Sequence, residues 1–231
     1  MNPQLALGIT LRDDASLATF TPGDNAQLLA ALQGCARAQG EPFLYLWGSD
    51  GCGKTHLLQA ACQCASQAGR SALYLPLNEA HALGPDILND LESLDLVCID
   101  DIDAIAGDQA WEEALFHLYN RLRANQTGLI TTAGCSPLTL PLKLADLRSR
   151  LGWGVCYQIN PLSDEQKRQL LINEAQRRGL MLNDDTAAYI LRHTQRDVGS
   201  LKALIERLDH ASLAAQRRQL TIPFVKTCLG L

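Results

Sequence analysis

GSDGCGKT, residues 48–55, reads as a complete G-x-x-x-x-G-K-[ST] phosphate loop, with Gly48, Gly53, Lys54 and Thr55 at its fixed positions. Each part answers a chemical need. Glycines let backbone N–H groups turn inward around phosphate oxygens, which makes Asp50, Gly51, Cys52 and Gly53 the cradle. The lysine reaches the β and γ phosphates, and the Thr55 hydroxyl ligates Mg²⁺. The context fits. FLYLW (Phe43–Trp47) reads as a buried strand entering the loop. HLLQAACQCASQ (His56–Gln67) reads as a helix leaving it, whose N-terminal dipole favours an anion. His56, at the mouth of that helix, joins the nucleotide-binding set. Strand, loop and helix in this order argue against an incidental glycine-rich turn.

Working outward, four more apolar runs alternate with helical patterns: Leu73–Leu77, Leu94–Ile99, Gly128–Thr132 and Val155–Ile159. Such alternation implies an α/β fold, a five-stranded parallel sheet flanked by helices, with ligands at the carboxyl ends of the strands. LVCIDDI (Leu96–Ile102) is an apolar strand ending in two carboxylates. It is expected beside the loop, with Asp100 holding Mg²⁺ through water and Asp101 orienting or activating the attacking water. GLITTAGCSP (Gly128–Pro137) ends in polar residues. There Thr131 or Thr132 would hydrogen-bond the γ-phosphate or its water, or simply pack the sheet. In LRSRLGWG (Leu147–Gly154), Arg150 follows a helical stretch, Pro141–Ser149, and precedes Gly152-Trp153-Gly154. It reads equally as a surface ion-pair residue or as an arginine finger reaching a neighbour's γ-phosphate.

The pattern changes at Asn160-Pro161. Ser163 and Gln166 form a capping box, and every later segment reads helical: 164–178, 184–194, 198–216 and 222–229, with turns at Gly179 and Gln219. The expected organisation is a flexible segment at 1–19, an α/β nucleotide-binding domain at 20–160, and a small all-helical lid at 161–231.

Composition narrows the function. Apolar content of 47% and charge of 19% suit a globular protein. No apolar run approaches a membrane span, and no signal pattern opens the chain. Eight cysteines, one of them inside the loop, form no CxxC and no cluster with the five histidines, so they read as reduced thiols of a cytoplasmic protein. The net charge of −5 argues for little or no direct DNA binding by the whole chain. That charge is uneven. Residues 1–160 hold 9 Lys+Arg and 17 Asp+Glu, giving −8, whereas 161–231 hold 11 and 8, giving +3. The basic part reads as solvated helix faces or as a weak phosphate-facing surface.

Together these motifs resemble the DnaA-like AAA+ ATPases, over nearly the whole chain. FTPGDNAQLLAAL (Phe20–Leu32) is similar to the family's entry segment over the adenine, which adds Phe20 and Pro22 to the nucleotide set. GSDGCGKTHLLQA and LVCIDDI are the Walker A and B regions, LRSRLGWG is similar to the segment that carries the arginine finger, here Arg150, and PLSDEQKRQLL opens the lid. The resemblance implies ADP or ATP with Mg²⁺ as cofactors. Two features point to a regulatory branch of the family. The chain stops at Leu231, after the lid, where an initiator continues into a helix-turn-helix domain. Near its start, QLALGI (Gln4–Ile9) is similar to the motif by which proteins dock on the replication sliding clamp, with Gln4, Leu5, Leu7 and Ile9 as anchors. The implied function is a clamp-docked regulator that presents Arg150 in trans to the ATP-bound DnaA initiator. This stimulates ATP hydrolysis by the initiator and prevents re-initiation of replication. A homodimer through the finger edge is consistent with the family. One departure matters: Gly199 stands where DnaA-like lids carry a nucleotide-sensing arginine, with Arg196 and Lys202 out of register, so the chain's own ATPase is expected to be weak. An autonomous ATPase akin to a helicase loader, and an adaptor that joins DnaA to the clamp without chemistry, remain as alternatives.

Overall fold

The computed structural model describes residues 15–230. Five strands, β1 (Phe43–Trp47), β2 (Ala72–Pro76), β3 (Leu96–Asp100), β4 (Gly128–Ala133) and β5 (Val155–Gln158), form one parallel sheet in the order β2-β3-β4-β1-β5. Strands β3 and β4 are buried at every residue, as expected of central parallel strands covered on both faces. Helix α1 (Ala26–Ala36) precedes them, and α2 (Lys54–Gln67), α3 (Leu77–Ala80), α4 (Gln109–Ala124) and α5 (Ala145–Leu151) lie between successive strands. On one side, Val97, Ile99 and Leu129 pack with Trp111, Leu115, Leu118 and Leu122 of α4. Burying a side chain of that size is worth about 1.5–3 kcal/mol, so this layer is a main source of the unit's stability.

The strand bearing Asp100 ends beside the loop as expected, but through a particular order of strands. It does not lie beside the strand that enters the phosphate loop, because β4 runs between them, with Leu46 opposite Thr132 and Ile99 opposite Thr131. The loop and Asp100 still meet, since α2 leaves the loop and crosses over to pack on β3.

Two local expectations change. Residues 15–19 are not a loose leader: Ser16 and Thr19 form a capping box around a short 3-10 turn (Leu17–Thr19), and Ala15 is buried. The helix expected at Pro141–Ser149 begins only at Ala145 and runs on through Arg150 to Leu151. The cause is Glu112 on α4. Its buried carboxylate accepts the N–H groups of Gly107 (2.7 Å), Lys143 (3.1 Å) and Leu144 (2.7 Å), which holds residues 143–144 outside the helix.

By its internal contacts the chain divides after Asn160, and the loop tip Gly51–Gly53 groups with the second unit, Pro161–Leu231. That unit comprises α6 (Asp164–Arg177), α7 (Asp184–His193), α8 (Val198–Ala215) and α9 (Ile222–Leu229) around Leu170, Leu171, Ile190, Leu201, Ile205 and Leu208. Ser163 and Gln166 close the capping box on α6. The unit is not all-helical. Gly179 takes a left-handed conformation (φ 73°) that returns the chain from α6, and Gln216 does the same (φ 53°) after α8. The returning segments pair as a two-stranded parallel ladder, β6 (Met181–Leu182) with β7 (Gln219–Leu220), which buries Leu182 and Leu220. Gln219, read as a turn, is therefore a strand residue.

Candidate functional site

The loop follows β1, where Gly48 N–H reaches the Ala133 carbonyl at 3.3 Å and extends the sheet by one bond. Gly51 (φ 73°) and Gly53 (φ 103°) adopt left-handed backbone that other residues rarely take, which is the conformational need behind their places in the motif. Lys54 is buried at the first turn of α2. Its ammonium donates to the carbonyls of Gly48 (3.0 Å) and Ser49 (3.4 Å) and lies 3.7 Å from the Asp50 carboxylate, which is fully exposed. The cation is thus held over the loop by weak neutral acceptors that phosphate oxygens can outcompete.

Asp100 is buried at the carboxyl end of β3 and is the hub of a hydroxyl network. Thr55 donates to its Oδ2 at 2.7 Å, Tyr74 of β2 donates to the same oxygen at 2.8 Å, and Thr132 of β4 donates to Oδ1. Burial, reinforced by Asp100, pushes the Tyr74 phenol far above its ordinary range, so it acts as a proton-bearing donor. Thr132 is used twice, since its oxygen also accepts the Asp101 N–H at 3.0 Å. Its side chain therefore ties the Asp100 carboxylate to the Asp101 backbone. Thr131, the alternative at the sequence level, points into the sheet and donates weakly to the Leu44 carbonyl at 3.4 Å.

Asp101 has left-handed backbone (φ 56°) and accepts from Asn78 at 3.2 Å. Partial burial, then repulsion from Asp100 and Asp103, raises its carboxyl to about 6. A carboxylate tuned upward in this way is a better proton acceptor near neutrality. Thr55 and Asp100 present adjacent hard oxygen donors, which suits Mg²⁺. Among the described residues no group of three or more His, Cys, Asp or Glu side chains is arranged to hold a metal without other ligands.

The entry segment is tied to this site through Phe20 and His56, and through Asn25, which the sequence did not single out. Phe20 packs against His56 with ring centroids 5.9 Å apart, and His56 Nε2 lies 3.1 Å from the Ser16 carbonyl. Pro22 is exposed beside them. Buried Asn25 donates to the carbonyls of Pro22 and Asn160 and accepts the Asn160 N–H at 2.8 Å, so one side chain clamps the entry segment to the end of the sheet domain.

Arg150 lies in the last turn of α5, away from the loop in sequence, and its guanidinium carbon stands 4.0 Å from the centroid of the Trp153 ring. Within the lid, Gly199 follows the N-cap Asp197 of α8, which accepts the Ser200 N–H at 2.8 Å. The nearby Arg196 is engaged with the Leu191 carbonyl (3.0 Å) and Asp164 (3.3 Å). Gln4, Leu5, Leu7 and Ile9 lie outside the described residues. Among the described residues no helix is long and apolar enough to cross a membrane.

A parallel sheet of order 2-3-4-1-5, with a phosphate loop after its first strand, a buried acid at the end of the third and a helical region following, defines the AAA+ class of phosphate-loop proteins. Two family models match the chain: the bacterial DnaA ATPase domain over residues 11–158 and the Hda lid domain over residues 164–229. The chain belongs to the bacterial DnaA ATPase-domain family. Solved structures agree in fold. A DNA replication initiation factor superposes with a TM-score of 0.76 at 23% identity, covering 90% of this chain and 69% of that one. AMPPCP-bound DnaA from Aquifex aeolicus gives 0.73 at 24%, covering 86% and 66%. Domain III of DnaA from Thermotoga maritima gives 0.80 at 19%, covering 96% and 98%. This chain thus spans about two thirds of the longer initiators and nearly all of the isolated domain III.

Proposed function

We propose that this chain is a nucleotide-binding regulator of the DnaA initiator, which docks on the replication sliding clamp and supplies Arg150 in trans to the ATP bound by DnaA. The observation that carries the reading is the pairing of a DnaA-type ATPase domain with an Hda-type lid in a single chain. Adenine nucleotide, ADP or ATP, is held by the loop from Gly48 to Thr55, with Lys54 on the phosphates and Phe20, Pro22 and His56 on the nucleoside side. Thr55 and Asp100 hold Mg²⁺, which when bound offsets phosphate charge. Thr132 and Tyr74 fix the Asp100 carboxylate, and Asp101 is the acceptor for a proton from water. The bound nucleotide serves chiefly to order the chain. Arg150 acts on the partner, where an arginine supplied in trans is worth on the order of 10³–10⁵ in rate. Gln4, Leu5, Leu7 and Ile9 anchor the chain to the clamp and raise its effective concentration near DnaA.

The test is single-turnover hydrolysis of ATP prebound to DnaA, with this protein and DNA-loaded clamp, comparing wild type, Arg150→Ala and Leu5→Ala. Acceleration that both variants lose is the expected result. No acceleration by wild type that demonstrably binds nucleotide sinks the regulator. Acceleration kept by Arg150→Ala but lost by Leu5→Ala returns the adaptor. The raised Asp101 carboxyl favours the second reading, an autonomous ATPase. Turnover by the isolated chain, abolished by Lys54→Ala and indifferent to DnaA and clamp, would establish it.

A further inference from the structure

Trp153 is an exposed aromatic residue, 57% accessible, in a turn that is otherwise tightly fixed. Its N–H bonds the Arg150 carbonyl at 3.1 Å. Its neighbour Gly154 lies so close to β1 that an added Cβ would fall on the Phe43 carbonyl oxygen and 2.9 Å from its carbon. Leu147 and Leu151 bury the opposite side of α5. The backbone on either side of the indole is therefore pinned, while the ring itself is left in solvent.

Two guanidinium groups lie against that ring, Arg150 at 4.0 Å and Arg123, from the last turn of α4, at 5.0 Å from the centroid. Among the described residues neither guanidinium makes an ion pair or a side-chain hydrogen bond. The distinction is chemical. A carboxylate would orient an arginine by occupying its N–H donors, the same donors a phosphate needs. An aromatic face restrains the guanidinium plane and leaves all five N–H groups available at the edge.

We propose that Trp153 is the positioning residue of Arg150: its indole face holds the guanidinium plane, with its donors uncommitted, for a nucleotide phosphate presented by a second AAA+ protein. The inference rests on the reading of Arg150 given above. Arg123 on the same ring adds positive potential toward the same anion.

The experiment compares wild type, Trp153→Ala, Trp153→Phe and Arg150→Ala in single-turnover hydrolysis of ATP prebound to DnaA with DNA-loaded clamp, varying the concentration of this chain. Side-chain Nε–H relaxation of Arg150 is measured in the free protein. Trp153→Ala is expected to lower the maximal rate by between about fivefold, the upper end for an exposed cation–π contact, and about a hundredfold, the cost of misplacing a group by an ångström. The half-saturating concentration should stay the same, and the Arg150 Nε–H should become more mobile. Trp153→Phe keeps an aromatic face and should retain at least half the rate. Loss under fivefold in Trp153→Ala, loss only through weaker half-saturation, or unchanged Arg150 mobility overturns the proposal while leaving the role of Arg150 standing. Full activity of Arg150→Ala overturns that role itself. The exposed ring contributes nothing to the core, so the variants keep the wild-type urea midpoint, and Trp153→Phe separates loss of the aromatic face from loss of the fold.

Discussion

Glu112→Ala should destabilise the sheet unit by about 3–5 kcal/mol. Glu112 has no exposed surface, and its two oxygens take three backbone N–H groups, from Gly107, Lys143 and Leu144. Removing the acceptor orphans all three. At about 1 kcal/mol each for partly buried donors, the low end of the range, that is about 3 kcal/mol. The lost Cγ methylene adds about 0.8 kcal/mol, and relief from burying a carboxylate offsets part of the sum. Glu112→Gln keeps one oxygen but turns an N–H₂ toward an N–H, so it should cost less than alanine but more than 1 kcal/mol. The assay is urea unfolding followed by tryptophan fluorescence. All three tryptophans, Trp47, Trp111 and Trp153, lie before Asn160, so the signal reports the sheet unit and not the lid. The midpoint should fall with an unchanged slope. Because the same bonds set where α5 begins, the variant should also lose stimulation of DnaA hydrolysis at temperatures where it is folded. A cost below 1 kcal/mol for alanine would refute the view that this carboxylate holds the segment before α5.

Three other outcomes are expected. Lys54→Ala should abolish the rise in melting temperature that ADP gives the wild type, since a ligand bound only to the folded state stabilises it; thermal melts with and without ADP decide it, and a wild type indifferent to ADP would show that the loop does not bind it. Asp101 is raised in the fold from 3.8 to about 6, so the folded chain keeps a proton there that the unfolded chain releases, and the residue's contribution to stability falls as pH rises through that window; Asp101→Asn should flatten the dependence and be more stable than wild type above pH 6, as read by urea midpoints across that range. Gly154→Ala should cost about 1–3 kcal/mol, because its Cβ meets the Phe43 backbone and β1 must shift; an unchanged urea midpoint would mean the turn is freer than its contacts imply.

What the sequence made legible was local. Gly53-Lys54-Thr55 lie within one turn of each other, so their pattern survives as a string, and the apolar runs at Phe43–Trp47 and Gly128–Ala133 record burial on both faces. What it hid depends on which strand lies beside which. That Thr132 would serve Asp100 follows from β4 running next to β3, and nothing in either strand's composition states that neighbour. The Glu112 bonds span 31 and 32 residues to Lys143 and Leu144, and the Asn25 clamp spans 135. The Glu112 bonds shift a boundary read from periodicity alone: the late start of α5 is a tertiary effect that no helix propensity encodes. The lid's ladder escaped notice because two-residue strands leave no alternation to read.

The site assembles two chemistries at different places on the sheet unit. Asp101, raised and half-buried after β3, is suited to act on water at the chain's own nucleotide. Arg150, with its donors uncommitted on an exposed ring after α5, is proposed to act on someone else's. The two roles make opposite demands on the same pair of variants. If the bound nucleotide only orders the chain, Asp101→Asn leaves the stimulation of DnaA intact while Arg150→Ala removes it. If hydrolysis by the chain itself is the function, Asp101→Asn removes turnover, and Arg150→Ala affects it only where copies of the chain meet edge to edge, which makes the loss dependent on protein concentration. Comparing the two variants, with and without DnaA, therefore separates a regulator that retains its nucleotide as structure from an ATPase that consumes it.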